Sequence, residues 1–237
     1  MKRFVSVLLA VGSALFTIGK SLQRDTGKPS ASELPARQVA TTEATRRYMM
    51  YVLLPFWFVP GVLDWIWHRQ TKIETTSGLE ESLIHSLMMT EVGLPIIMGL
   101  FLEINAGVFA LMIAAAVLHE ATAFWDVGYA VSRRKILPRE QHTHSLLEVI
   151  PLAALSFLAC LHPNQFIALF GAGAEKARFE IRLKRPSLPA RYVVTILSSV
   201  ALFIAAPYAE EVVRCWAAQR KGLTGSYTPE CARVLFA

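Results

Sequence analysis

The chain has 237 residues, 54% of them apolar, and a formal net charge of +6 from 24 Lys and Arg against 18 Asp and Glu. A mean hydropathy of +0.41 is too high for a soluble domain of this size, and several apolar runs approach or reach the ~20 residues that cross a bilayer core. The positive charge does not indicate nucleic acid, because basic residues fall between the apolar runs and are not interleaved with aromatics; membrane lipids are the expected partner.

Phe4 to Gly19 is an apolar run preceded by Lys2 and Arg3, the shape of a signal-like segment or a short anchor, and the lack of an A-x-A cleavage site favours an anchor over 1–19. Residues 20–47, with Lys28, Pro29, Ser30, Ser32 and Pro35, read as a polar connector that is poorly ordered or surface-bound. A four-helix transmembrane core over 48–161 follows, with spans at Tyr48 to Trp67, Ser82 to Leu102, Asn105 to Val131 and Ser145 to Leu161. Then come a basic loop over 162–190 and a segment over 191–237 that opens with a fifth span, Arg191 to Tyr208, and ends in a tail.

Backbone polar groups in lipid must be satisfied within each run, and no period-2 barrel pattern is present, so the fold class is an all-α polytopic transmembrane helical bundle. Pro55, Pro60, Pro95 and Pro151 should kink spans and make room inside it. Cys160 reads as a small buried hydrophobe, whereas Cys215 and Cys231 would pair only if the tail faces an oxidising compartment. Arg133, Arg134, Lys135 and Arg139 read as a solvated basic loop facing headgroups.

Short connections fix where the ionisable residues meet. The first span ends at Asp64 and His68, and the second starts at Glu81 and His85 after a loop of about a dozen residues. A tight turn near Glu103 to Asn105 sends the third span back to the same side, ending with His119, Glu120 and Asp126. The fourth span leaves from that side with Glu140, His144 and Glu148. Trp65, Trp67 and Trp125 fall at the same level, as an interfacial aromatic belt would.

Asp64 and His68, Glu81 and His85, and His144 and Glu148 are each four residues apart, and His119 and Asp126 seven, so each pair shares a helix face. Four helices thus offer one imidazole and one carboxylate each, the inventory of dinuclear carboxylate sites in helical bundles. Chain direction sorts them into a deep layer (Asp64, His85, His119, Glu148) and a shallow one (His68, Glu81, Asp126, His144), separated by roughly 6 Å at 1.5 Å per residue. The third helix fits less well, with about 10 Å between its pair, and Glu120 is an alternative there. Ionisable residues held inside a membrane are functional candidates by default, and these eight are the expected ligands of two transition-metal ions. Glu91 lies off this face near mid-span, with a partner that spacing alone does not identify.

The stretch Asp64-Trp65-Ile66-Trp67-His68-Arg69, then Glu81 with His85, then Pro138-Arg139-Glu140-Gln141-His142-Thr143-His144-Ser145, resembles a bacterial family of uncharacterised polytopic membrane proteins over residues 50 to 155. That resemblance implies that these residues act together and implies no reaction. In outline the chain is also similar to ferritin-like di-iron bundles, although its i,i+4 spacing departs from their Glu-x-x-His motif. The HxxxH and HxxHH clusters of membrane desaturases are absent.

A mixed imidazole and carboxylate set favours iron over zinc or manganese. Oxidation of a membrane-soluble or lipid-like substrate is the leading expectation, with a separate electron donor, because the chain carries no dinucleotide, flavin or iron–sulfur motif. A two-zinc hydrolase, with Glu120 or Glu140 as general base, and a metal or proton transporter are the alternatives. The expected location is the bacterial inner membrane. If Phe4 to Gly19 crosses from the cytoplasm, the cluster end is cytoplasmic, and the basic residues between Arg133 and Arg139 agree.

Overall fold

The computed structural model describes residues 34–225; the anchor expected over 1–19 and the cysteine at 231 lie outside the described residues. The chain divides into two units, residues 1–44 and 45–237. Of the first, the described part is helical from Leu34, so a helix begins inside the segment expected to be a polar connector. Its run Ala36-Arg37-Gln38-Val39-Ala40 is built from good helix formers, which offsets its polarity.

The elements are α1 (Leu34–Tyr48), α2 (Leu54–Gln70), α3 (Leu79–Phe101), α4 (Ala106–Arg133), α5 (Pro138–Leu161), α6 (Pro163–Leu169), α7 (Ala190–Val200) and α8 (Ala206–Arg220). Widened π-helical turns at Met49–Leu53 and Ala201–Ala205 join α1 to α2 and α7 to α8. Five helices are long and apolar enough to cross a membrane: Arg37–Gln70, Leu79–Phe101, Ala106–Arg133, Pro138–Leu161 and Ala190–Arg220. Their outward faces expose Phe56, Leu83, Leu94, Leu111, Phe124 and Val149, while buried positions hold His, Asp, Glu and Arg. Large apolar groups outside and charges inside are the arrangement of an integral membrane protein, in which lipid is the solvent.

Two of the helices differ usefully from the hydropathy limits. α5 starts seven residues before the expected Ser145, because Pro138 takes the first helical position, where a missing N–H costs nothing. That start carries Glu140 and His144 onto one helix face. The last span continues through α8 to Arg220, twelve residues past Tyr208, and its buried stripe Ile204, Tyr208, Glu211, Cys215, Ala218 keeps helical spacing after the apolar run ends.

α3 pairs with α4, α2 with α5, and α8 packs back onto α3 and α2. With no gain from leaving water, such contacts rest on close packing. Gly61 shows it: a Cβ there would sit 2.5 Å from Ile204 Cδ1. The turn between α3 and α4 is short, as expected, and Asn105 caps α4 by accepting from the Val108 N–H at 3.1 Å.

The 162–190 segment straps across this end of the bundle. Its backbone bonds Gly107, Glu103 and Phe101 through Arg178, Arg182 and Lys184. Gly107 is needed for that approach, since a Cβ there would lie 2.8 Å from Phe179 Cα. Pro60, Pro95 and Pro151 lie within α2, α3 and α5, and the last two border an internal cavity of about 700 Å³. Cys160 faces outward and is exposed, contrary to the buried position expected; Cys215 is buried, with a free thiol.

Candidate metal centre

The ends of α2 and α4, the starts of α3 and α5 and the first half of α8 converge around a set of buried charged side chains. Asp64, His68, Glu81, His85, Asp126, Glu140 and Glu211 are each 3% exposed or less, and Arg134 is 5% exposed. Desolvated charges of this kind persist only when paired or holding an ion.

Glu211 organises the cluster. Its Oε2 lies 2.9 Å from His68 Nδ1 and its Oε1 3.2 Å from His85 Nδ1, so one carboxylate grips both imidazoles. The two rings stack with centroids 4.4 Å apart and planes 9° apart. A carboxylate accepts and does not donate, so both Nδ1 atoms carry hydrogen and both Nε2 atoms present lone pairs whenever the rings are neutral.

Those Nε2 atoms face carboxylate oxygens. His68 Nε2 is 3.5 Å from Asp64 Oδ1 and 3.5 Å from Glu140 Oε1. His144 Nε2 reaches the same Asp64 oxygen at 2.8 Å. On the neighbouring ring, His85 Nε2 is 3.2 Å from Asp126 Oδ1 and 3.7 Å from Glu81 Oε1. Three groups have ligand atoms within 4.8 Å of one another, enough to hold a metal ion: Asp64, His68 and His144; Glu81, His85 and Asp126; and His68, His85 and Glu211. Asp64 Oδ1, His68 Nε2, His85 Nε2 and Asp126 Oδ1 are buried, and none makes a hydrogen bond. They lie close in two pairs, Asp64 Oδ1 with His68 Nε2 at 3.5 Å and His85 Nε2 with Asp126 Oδ1 at 3.2 Å.

Arg134 braces the outer edge. Its Nε bonds both oxygens of Glu81 at 3.1 and 3.2 Å, and Nη1 donates to Glu140 Oε2 at 3.0 Å. Burial opposes its charge, but the carboxylates of Glu140 and Glu81 outweigh that and hold its pKa above the usual guanidinium value. The solvated basic loop expected at 133–139 therefore has one inward member: Arg134 turns into the bundle because two buried carboxylates await it. Tyr208 completes the inner side, its hydroxyl donating to Asp64 Oδ2 at 3.0 Å.

The expected sorting into a deep and a shallow layer does not describe this geometry. Groups instead divide by helix pair, with Asp64, His68, Glu140 and His144 on α2 and α5, and Glu81, His85 and Asp126 on α3 and α4. Glu140, expected as a general base, accepts from Arg134 and lies 3.5 Å from His68 Nε2, outside the three groups that could hold a metal ion. Glu148 borders a small cavity of about 20 Å³ shared with Asp64, His85, Asp126, His144 and Tyr208.

His119 stands apart. Seven residues before Asp126, it lies about 10 Å deeper along α4, where its Nδ1 is 3.6 Å from Glu91 Oε2. Glu91 in turn accepts from the Thr122 hydroxyl at 2.9 Å, which supplies the partner that spacing alone left open. His119, Glu91 and Glu120 line the larger cavity rather than the cluster. Glu211, Arg134 and Tyr208 were not singled out from the sequence as members of the site. Glu211 was detectable in principle, since it continues the stripe of Ile204 and Tyr208 at helical spacing.

Compared with protein-family models, curated proteins and solved structures, the chain matches none. Geometry therefore carries the functional argument.

Proposed function

We propose that the buried cluster is a two-metal centre of a membrane enzyme, with iron the favoured metal, oxidising a membrane-soluble substrate. The observation that carries it is Glu211 holding two stacked imidazoles by Nδ1 while each Nε2 faces its own carboxylates. Histidine ligands to metals are held in this manner, the outer carboxylate fixing the tautomer and raising the ligand's basicity.

Charge supports the same reading. With neutral imidazoles, Asp64, Glu81, Asp126, Glu140 and Glu211 are five negative charges against the single positive charge of Arg134, an excess of four. Two divalent cations would cancel it, whereas protons on His68, His85 and His144 would cancel only three of the four. Imidazole with carboxylate, and no thiolate, is a donor set suited to iron with positions left for oxygen or water. The metal would supply the redox chemistry. The residues would supply the rest: Glu211 orients both rings, Arg134 fixes Glu81 and Glu140, and the apolar bundle limits water and admits substrate from lipid. Electrons would come from a separate donor, and orientation with the cluster end cytoplasmic remains the proposal made from the N-terminal run.

Glu148 favours one other reading. A carboxylate beside the small cavity and outside the candidate ligand groups could serve as the general base that a two-zinc hydrolase would need, accepting a proton from the attacking water. The two readings separate in one experiment. Protein purified anaerobically, reduced and exposed to oxygen should change its optical spectrum and consume oxygen if iron is resident. A zinc centre stays silent, and gradient-driven metal uptake in sealed vesicles would replace both with a transporter.

A further inference from the structure

The cavity of about 700 Å³ lies between α2, α3, α4 and α5, with residues of the 162–190 strap lining its mouth. Its walls are hydrocarbon, including Leu53, Val92, Ile96, Met112, Leu155 and Leu158. The lining runs from Ile150 to Leu161 along α5, about 17 Å at 1.5 Å per residue, close to the ~15 Å of one lipid leaflet. Its volume falls within the 300–1,000 Å³ typical of ligand sites.

The two ends differ from the walls. At the mouth stand Arg46, His162, Arg178, Lys184 and Arg185, with Glu103 the one carboxylate among the mouth residues. They crowd one another: burial and then Arg46 lower the Lys184 pKa, and burial, Lys184 and Arg46 lower that of His162. An anion seated among them would relieve that repulsion. At the closed end, Trp57 Nε1, Glu91 Oε2 and both ring nitrogens of His119 are buried without a hydrogen bond. That end lies six residues along α3 from His85, about 9 Å.

We propose that this cavity binds one hydrocarbon chain of a phosphate-bearing anionic membrane lipid, its headgroup held by Lys184, Arg185 and their cationic neighbours and its chain directed toward His119. Charge at the mouth, apolar walls and a length of one leaflet select this occupant over a neutral lipid or a small soluble molecule. Its role as the substrate rests on the two-metal reading; the binding itself does not.

Native mass spectrometry of the full-length protein, in detergent micelles doped with dioleoylphosphatidylglycerol or dioleoylphosphatidylcholine, tests it. The wild type should retain about one phosphatidylglycerol per chain, with about tenfold or greater preference over phosphatidylcholine given two or more cationic contacts. Lys184→Gln with Arg185→Gln should reduce that preference to near parity. Ala116→Phe, which fills the cavity, should abolish retention of both lipids, with circular dichroism showing that each variant keeps its helices. Equal retention of the two lipids by the wild type, preference that survives the double substitution, retention undiminished by Ala116→Phe, or displacement by free inorganic phosphate would each overturn the proposal. Metal content measured on the same samples keeps the two ideas apart: selective lipid retention in metal-free protein upholds the binding site and removes the two-metal reading, and metal without selectivity does the reverse.

Discussion

The two ends of the bundle interior handle buried polar groups in opposite ways. At the cluster end, carboxylates, imidazoles and one guanidinium sit within 4 Å of one another and fill the space between helices. Toward the strap, the helices separate around apolar walls, and Trp57 Nε1, Glu91 Oε2 and both ring nitrogens of His119 are buried without a hydrogen bond. Dense packing of carboxylates and imidazoles suits small cations; an apolar chamber with a cationic mouth suits a chain carrying an anion. Pro95 and Pro151 line the chamber.

Substitutions can break this contrast, and Arg134→Ala should have the largest effect. Removing the guanidinium leaves Glu81 and Glu140 buried without the one cation that bonds both, at a cost of about 3–5 kcal/mol. Thermal unfolding in detergent should show a large drop in midpoint, partly restored by Arg134→Lys. An unchanged midpoint would mean that the two carboxylates are not held as described.

Glu211→Gln should come next. The amide keeps the shape but can no longer accept from both Nδ1 groups as an anion, and loss of such an outer partner lowers metal affinity by about 10–100-fold. Chelator titration of the loaded protein measures this. Equal weakening of both ions is expected because both rings depend on the one carboxylate, whereas weakening of one alone would deny the shared grip.

Tyr208→Phe removes one hydrogen bond to Asp64 and should cost about 1.5–3 kcal/mol of stability, as bonds to charged groups do, without loss of metal. His119→Ala should have the smallest effect on the cluster: metal content stays at the wild-type level, because the ring lies with Glu91 at the chamber end. Elemental analysis showing metal lost from this variant would move His119 back among the ligands.

Much of this was legible in the sequence. Apolar runs gave the spans, short loops gave the shared end, and i,i+4 spacing paired Asp64 with His68 and Glu81 with His85 on the correct faces. Depth was harder to judge. His119 and Asp126 share a face at seven residues, but sharing a face does not place two groups at one level, and about 10 Å separates them. Glu211 was obscured by hydropathy, which ends the last span at Tyr208 although the helix goes on in polar residues. Arg134 resembles its solvated neighbours by composition, and its inward turn depends on Glu81, distant in sequence. The chamber leaves no local signature, since its walls are ordinary membrane-helix residues whose separation is a property of packing.

Elemental analysis of the purified full-length protein, beside His68→Ala and His85→Ala, tests the two-metal centre most directly. The account predicts close to two transition-metal ions per chain in the wild type and at least one fewer in each variant, because the two imidazoles face separate carboxylate sets. Wild-type protein from metal-replete cells that holds no metal, and takes up none when iron or zinc is added, would contradict it.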